Sequence, residues 1–265
     1  MILQKFLRIG KYEWARQRAY RANLVIWMIV IPLIFLVEYS VWTAVFSASG
    51  VDVVRGFTRT DLLVYYLLVH IVLLFTNTNV DKRISEQIKD GSLIKQVIKP
   101  MHFFWLTFAK HIWVRIFNLF ILPSLVILGY LLIPEISVSP INFMLFLASV
   151  VLAMLLTFMY IFLFGLLAFW VKEIFGLAIM RNGISNFFSG ALIPLAFFPA
   201  ALQPIFYILP FQYMLFVPIQ IFLGKYMLNQ IWELLLIQLV WTLIFSVVCY
   251  FVWGRAKARF MGVGI

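Results

Sequence analysis

Residues 141–170 read INFMLFLASVVLAMLLTFMYIFLFGLLAFW, a run without a single charge, closed by Lys172 and Glu173. A helix rises about 1.5 Å per residue and the hydrocarbon core of a bilayer is about 30 Å thick, so roughly 20 apolar residues cross it. This run predicts a membrane span. Working outward, five more stretches have the same character: residues 22–47 behind Arg21; 62–79, closed by Asp81, Lys82 and Arg83; 112–133, closed by Pro134 and Glu135; 174–195; and 234–253, followed by Gly254 and Arg255.

The composition agrees. Of 265 residues, 65% are apolar and 12% charged; a soluble domain averages about 45–50% and about 25%. Too little polar sequence remains to cover a soluble core. A soluble domain, a disordered chain and a nucleic-acid binder are therefore excluded, despite a formal net charge of +11. A single cysteine, Cys249, excludes an intrachain disulfide framework and a cysteine-based metal site. Alternating ten-residue strand patterns are absent, which argues against a membrane β-barrel. Arg8, Lys11, Arg16, Arg18 and Arg21 precede the first long apolar run, so the start does not resemble a cleavable signal peptide. The expected fold is all-α: a polytopic membrane protein with six transmembrane helices in one domain over residues 1–265.

Orientation follows from the basic residues. With the N-terminus inside, every Lys and Arg except Arg55, Arg59 and Lys225 falls in an inner segment or at an inner span end. Both termini are then cytoplasmic. Contact with anionic headgroups accounts for the basic balance, at about 1 kcal/mol per surface residue.

Residues 2–18 form an amphipathic wheel. Ile2, Leu3, Phe6, Leu7, Ile9 and Trp14 lie on one arc, and Lys5, Arg8, Lys11, Arg16 and Arg18 on the other, with Glu13 intruding on the apolar side. Residues 1–21 thus read as an interfacial helix. It serves either as an anchor alone or also as a contact for a cytoplasmic partner.

The loop at 81–100, DKRISEQIKDGSLIKQVIKP, carries an apolar stripe of Ile84, Ile88, Leu93, Ile94, Val97 and Ile98, with Glu86, Lys89, Asp90 and Lys95 off it. Gly91 breaks or caps one helical piece, Ser92 can open the next, and Pro100 ends it. Such a helix lies on the membrane or docks into a partner's groove, and mixed charge favours a protein partner. Glu86, Gly91-Ser92-Leu93 and Pro100 resemble the cytoplasmic loop of the ABC type 2 exporter permeases, with Ser92 where Thr is commoner. The resemblance implies a coupling helix seated on an ATP-binding subunit, through Ile84, Glu86, Ile88, Asp90, Gly91 and Ser92.

Between the last two expected spans stand Pro194, Pro199, Pro204, Pro210 and Pro218 in a segment that stays apolar. Proline at this density prevents one long helix, and the apolar character prevents a solvated loop. Short helices that dip into the outer leaflet satisfy both, giving a re-entrant hairpin over residues 194–230. The same family has short re-entrant helices there, and Pro210-Phe211 with Pro218 and Gly224 resemble its drug- and antibiotic-export branch. Phe197, Phe198 and Phe211 fit either an outer gate over the cargo path or an interfacial plug.

Asn182, Ser185, Asn186 and Ser189 share one face of the fifth expected span, with Arg181 beside them. Lipid penalises such a face, so it marks helix packing, or a surface toward a second subunit or the cargo. Glu38 in the first span could pair with Arg55 or Arg59, or snorkel outward. His70 stands alone in the second span.

No G-x-x-x-x-G-K-[ST], H-E-x-x-H or G-x-S-x-G motif is present, nor paired intramembrane carboxylates. No catalytic or metal site, and no cofactor bound by this chain, is expected. The resemblance implies the permease subunit of an ATP-binding cassette exporter in the cell membrane, paired with a second permease chain, identical or paralogous, while ATP and Mg sit on separate ATPase subunits. A stand-alone secondary carrier and a non-transporting scaffold are the competing readings. A carrier has no use for a docking helix of mixed charge.

Overall fold

The computed structural model describes residues 2–97, 102–171 and 174–262. Lys172, Glu173 and Pro100, used above as boundary marks, lie outside them, as does Ile98 of the loop stripe. The described chain is helical apart from one two-stranded hairpin. Helix α1 spans Ile2–Ala19 and α2 Arg21–Ser49. Strands β1 (Val53–Val54) and β2 (Phe57–Thr58) pair antiparallel, with Val53 opposite Thr58 and Val54 opposite Phe57. Then come α3 (Arg59–Thr76), α4 (Val80–Lys89), α5 (Leu93–Val97), α6 (Phe103–Asn118), α7 (Leu122–Leu132), α8 (Pro140–Leu167) and α9 (Phe175–Phe188). The short helices α10 (Gln203–Ile208) and α11 (Phe216–Phe222) lead to α12 (Leu228–Gly262).

Helix α3 is the centre of the bundle. Thr58 and Asp61 form a reciprocal capping box at its start, which satisfies two otherwise orphaned backbone donors. Every residue from Leu62 to Val69 is buried. Around it pack α2, α7, α8 and α11. Helices α8 and α12 form the largest helix pair, pinned by Gln238: its Nε2 donates to the carbonyls of Ser149 (2.9 Å) and Tyr213 (2.8 Å), and its Oε1 accepts from Ser149 Oγ (3.0 Å).

Contacts across the bundle set the direction of each helix. Lys225, ahead of α12, pairs with Asp61 at the start of α3 (2.7 Å), and Thr60 donates to Glu135, ahead of α8 (3.0 Å). Helices α3, α8 and α12 therefore run in parallel from the Asp61 end toward the end that carries α4. Helix α9 starts at the α4 end and runs back.

Among the described residues five stretches are long and apolar enough to cross a membrane: Arg21–Ser49, Arg59–Lys89, Phe103–Leu132, Pro140–Leu167 and Leu228–Arg259. The third begins earlier than the expected residue 112. Lys110 and Arg115 interrupt the apolar run there, but Lys110 Nζ donates to Gln96 Oε1 (2.8 Å) and Arg115 Nη1 to the Leu74 carbonyl (3.2 Å). Phe103 and Phe104 pack on Phe162 of α8, extending the helix toward its N-terminus. The fifth expected span, 174–195, is not one long helix. Helix α9 has 14 residues, about 21 Å of rise, and stops where Gly190 turns the chain at φ +84°. Tyr65 Oη donates to the Gly190 carbonyl (2.7 Å) and Tyr66 Oη to that of Leu192 (3.1 Å), fixing the turn against α3.

Helix α1 turns the arc that holds Phe6, Ile9 and Trp14 toward α6. Gly10 and Glu13 are buried, whereas Leu7 is 47% exposed. Trp113 of α6 lies so close to Gly10 that a Cβ there would collide with its indole, and its Nε1 donates to the Phe6 carbonyl (3.1 Å). Trp14 packs edge-on to Phe117 and Phe120. Glu13, the intruder on the wheel, pairs with Arg16 at 2.9 Å.

Candidate coupling site and polar helix face

Asn77 to Asn79 interrupt the helix between α3 and α4. Helix α4 then turns Val80, Asp81, Ile84 and Ser85 inward, the i, i+1, i+4, i+5 face of a helix laid on a bundle. Asp81 Oδ2 meets Arg181 Nη2 of α9 at 3.0 Å, with 1% and 2% of the two side chains exposed. Ile84 is 1% exposed and lies over Gly165 of α8. A Cβ at Gly165 would stand 2.8 Å from Ile84 Cδ1 and 3.0 Å from Asp81 Cα, so only glycine permits this approach.

This arrangement corrects one residue of the expected docking set. Ile84 holds α4 onto its own bundle and offers no surface to a partner; Ile88 is half-buried. Glu86, Lys89, Asp90 and Gly91 are exposed, with Ser92 partly so. Ile94 is 49% exposed, and it is the apolar group on that surface. Gly91 adopts φ +70°, in the left-handed region that favours glycine. The Ser92 backbone N–H donates to Asp90 Oδ1 (2.9 Å), and hydrogen bonds from Ser92 hold the Asp90 carboxyl below the usual carboxylate range.

On α9, Asn182 and Asn186 are exposed and Ser185 is partly so, while Ser189 is buried at the turn. The face named from the sequence thus divides: its end tucks into the bundle and the two amides point out of it. Among the described residues neither amide side chain makes a hydrogen bond within the chain.

The segment after α9 is built of short pieces. Phe197 lies against Trp42 and Phe57, Phe198 against Phe187 and Phe206, and Phe211 against Tyr160 and Phe188. All three are partly buried, Phe197 in an aromatic group on α2 and α3 and Phe198 and Phe211 in a second one that bridges α8, α9 and α10.

Glu38 does not reach Arg55 or Arg59. Its Oε2 lies 2.8 Å from His70 Nε2, so the two intramembrane ionisable groups that looked unpartnered in the sequence partner each other. The signal was available: both sit on neighbouring spans, but no spacing rule places residues 32 apart in contact.

A family model described as ABC-2 family transporter protein matches residues 25–264. The chain belongs to the ABC-2 family of transporter proteins. Comparison with curated proteins and with solved structures finds no match. Membership makes this a multi-pass membrane permease of an ABC-type transporter, and the match begins just inside α2, so it covers the bundle from α2 to α12 and leaves out α1. The family implies an ATPase partner. The residues missed in the sequence, Arg181 toward Asp81, Tyr65 and Gln238, all act through side chains whose partners are distant in sequence.

Proposed function

We propose that this chain is one permease subunit of an ATP-driven exporter, with six spans and both termini cytoplasmic in the cell membrane. Two permease chains, identical or paralogous, form the cargo path. Two ATPase subunits carry ATP and Mg, and this chain catalyses nothing itself. The observation that carries the reading is the construction of α4: one face locked to α8 and α9 through Ile84 and the Asp81–Arg181 pair, the other presenting Glu86, Lys89 and Asp90. A helix held this way passes a push on its exposed face to α9.

Helix α9, with the turn at Gly190 and the short helices after it, completes the fifth crossing. The segment then stays at the Asp61 end until α12, which supports the six-span count and the re-entrant hairpin. Phe197, Phe198 and Phe211 close the outer half of the path. Asn182 and Asn186 face the second permease or the cargo, because amides pointing to lipid are costly.

The test is co-purification of a P-loop ATPase with the tagged chain from native membranes. Charge reversal at Glu86→Lys with Lys89→Glu should abolish it while the chain still inserts. Undiminished co-purification of the reversed chain would refute the docking face, and ATP hydrolysis by the purified chain alone would refute the division of labour. Ile84→Asp is unsuited to this test, since it would disrupt the chain's own core.

A further inference from the structure

A cavity of about 460 Å³ opens at the α4 end, between α2, the Asn77–Asn79 link and α6. Its polar end is lined by Arg83, Arg115, Asn77, Asn79 and Asn118, and its wall along α2 by the apolar Trp27, Ile31 and Ile34. Among the described residues no acidic side chain lines it. Among the described residues no carboxylate lies within 4.0 Å of Arg83 or Arg115. Arg115 donates from Nη1 to the Leu74 carbonyl, but its buried Nε has no hydrogen-bond partner. The acids that act on Arg83 are Glu13 and Glu86; Glu13 already pairs with Arg16, and Glu86 points out from α4. Two guanidinium groups thus stand together, short of anions, in a pocket rich in amide donors.

The pocket's shape adds a second constraint. From the level of Asn23, Ile31 and Ile34 lie about 12–16 Å further along α2. Trp27 is 45% exposed and Ile34 42%. The slot therefore runs from headgroup level into the acyl region, open to the side, cationic at one end and apolar along its α2 wall, with His70, bonded to Glu38, on the α3 side.

We infer that this slot holds a phosphate-bearing anionic lipid of the leaflet at the α4 end, its phosphate between Arg83 and Arg115 and a chain along Trp27, Ile31 and Ile34. Arginine is suited to phosphate through paired N–H donors, and basic pockets between spans at the cytoplasmic side accept acidic headgroups. Because Arg83 belongs to α4, the lipid would join α4 to α6 and α2. This goes beyond the ATPase-docking reading and does not depend on it.

The purified chain, exchanged into phosphatidylcholine nanodiscs with and without phosphatidylglycerol, should retain one phosphatidylglycerol by native mass spectrometry. Arg83→Gln should lower that retention about tenfold, the scale of one lost charge-assisted hydrogen bond. Arg115→Gln should do likewise; because Arg115 also bonds Leu74, Arg83→Gln and Asn118→Leu stand as the variants least tied to folding. Arg255→Gln, exposed on α12 at the same end, should change nothing. Displacement by excess inorganic phosphate would show that the phosphate group alone is recognised; retention against it, together with a loss in Trp27→Ala, would show that the lipid chain contributes. Equal retention in wild type and Arg83→Gln, or an equal loss in Arg255→Gln, would overturn the assignment.

Discussion

The carboxylate of Asp81 and the guanidinium of Arg181 meet at 3.0 Å, sealed from water, across the junction of α4 and α9. One sits in the first turn of the helix that presents charges to the outside, the other midway along the helix that carries the exposed amides. Two buried charges with no route to solvent hold their helices at a fixed separation. Moving one without the other would strand a charge in a low-dielectric interior.

Removing one partner should therefore destabilise the chain strongly. Asp81→Asn or Arg181→Gln is expected to cost about 3–5 kcal/mol, the scale for breaking a buried pair. The double variant should recover part of the loss, since neither charge is then stranded. Thermal unfolding in detergent of the two singles and the double reads the coupling directly. Additive losses would mean that the two side chains do not act as a pair.

Gly165 makes the second contact between α4 and the bundle. In Gly165→Ala the new methyl meets Ile84 Cδ1, which can rotate, and Asp81 Cα, which cannot. Overpacking of this kind costs about 1–3 kcal/mol. Adding Ile84→Val should restore only part of it, because the clash with backbone remains. Melting temperatures of the three proteins check the order: wild type, then the double variant, then Gly165→Ala.

The turn after α4 rests on Asp90 and Gly91. The Asp90 carboxyl is lowered by its hydrogen bonds from Ser92, with Lys95 adding to the effect. A depressed carboxylate contributes stability above its unfolded pKa of about 3.9 and loses it as pH falls through the lower folded value. The turn should thus be insensitive to pH near neutrality and loosen only in acid. Hydrogen exchange of the Ser92 amide across that range measures this, and Asp90→Asn should remove the dependence. Gly91→Ala should loosen the turn at every pH, by about 1–2 kcal/mol for an alanine in the left-handed region.

The sequence made the long helices legible because bilayer thickness imposes a length that composition reports directly. Residues 141–170 needed nothing more. It was least informative where a charge or a break is resolved by a distant partner. Lys110 hid the first turns of α6 because its acceptor, Gln96, lies in another element. Helix α9 was drawn too long because residues 190–195 carry no charge, and the side chains that fix the turn, Tyr65 and Tyr66, lie on α3. Ile84 was assigned outward because a stripe on an amphipathic helix says which residues seek burial, not against what. The neighbour that receives it, Gly165, carries no apolar side chain to signal the contact.

The exposed amides of α9 yield the last prediction. Asn182 and Asn186 are one helical turn apart, so they project from one face, and both are exposed within this chain. In a bilayer an unpartnered amide is penalised, whereas across a helix–helix interface it contributes about 0.6 kcal/mol per hydrogen bond. If this face meets a second permease chain, cysteines placed there should come within reach of each other or of the paralogue. Cys249, the one native cysteine, is 3% exposed and on α12, so it does not compete for surface cross-linking. Asn186→Cys and Asn182→Cys, treated in native membranes with a short bis-maleimide, should give a band of two permease chains. Ile179→Cys, 56% exposed on the same helix and three residues before Asn182, samples how far the interface extends toward the α4 end. A control cysteine at Tyr250, 73% exposed on α12, should stay monomeric. Cross-linking at Tyr250 and none at Asn182 or Asn186 would move the interface off α9 and return its amides to the cargo path alone.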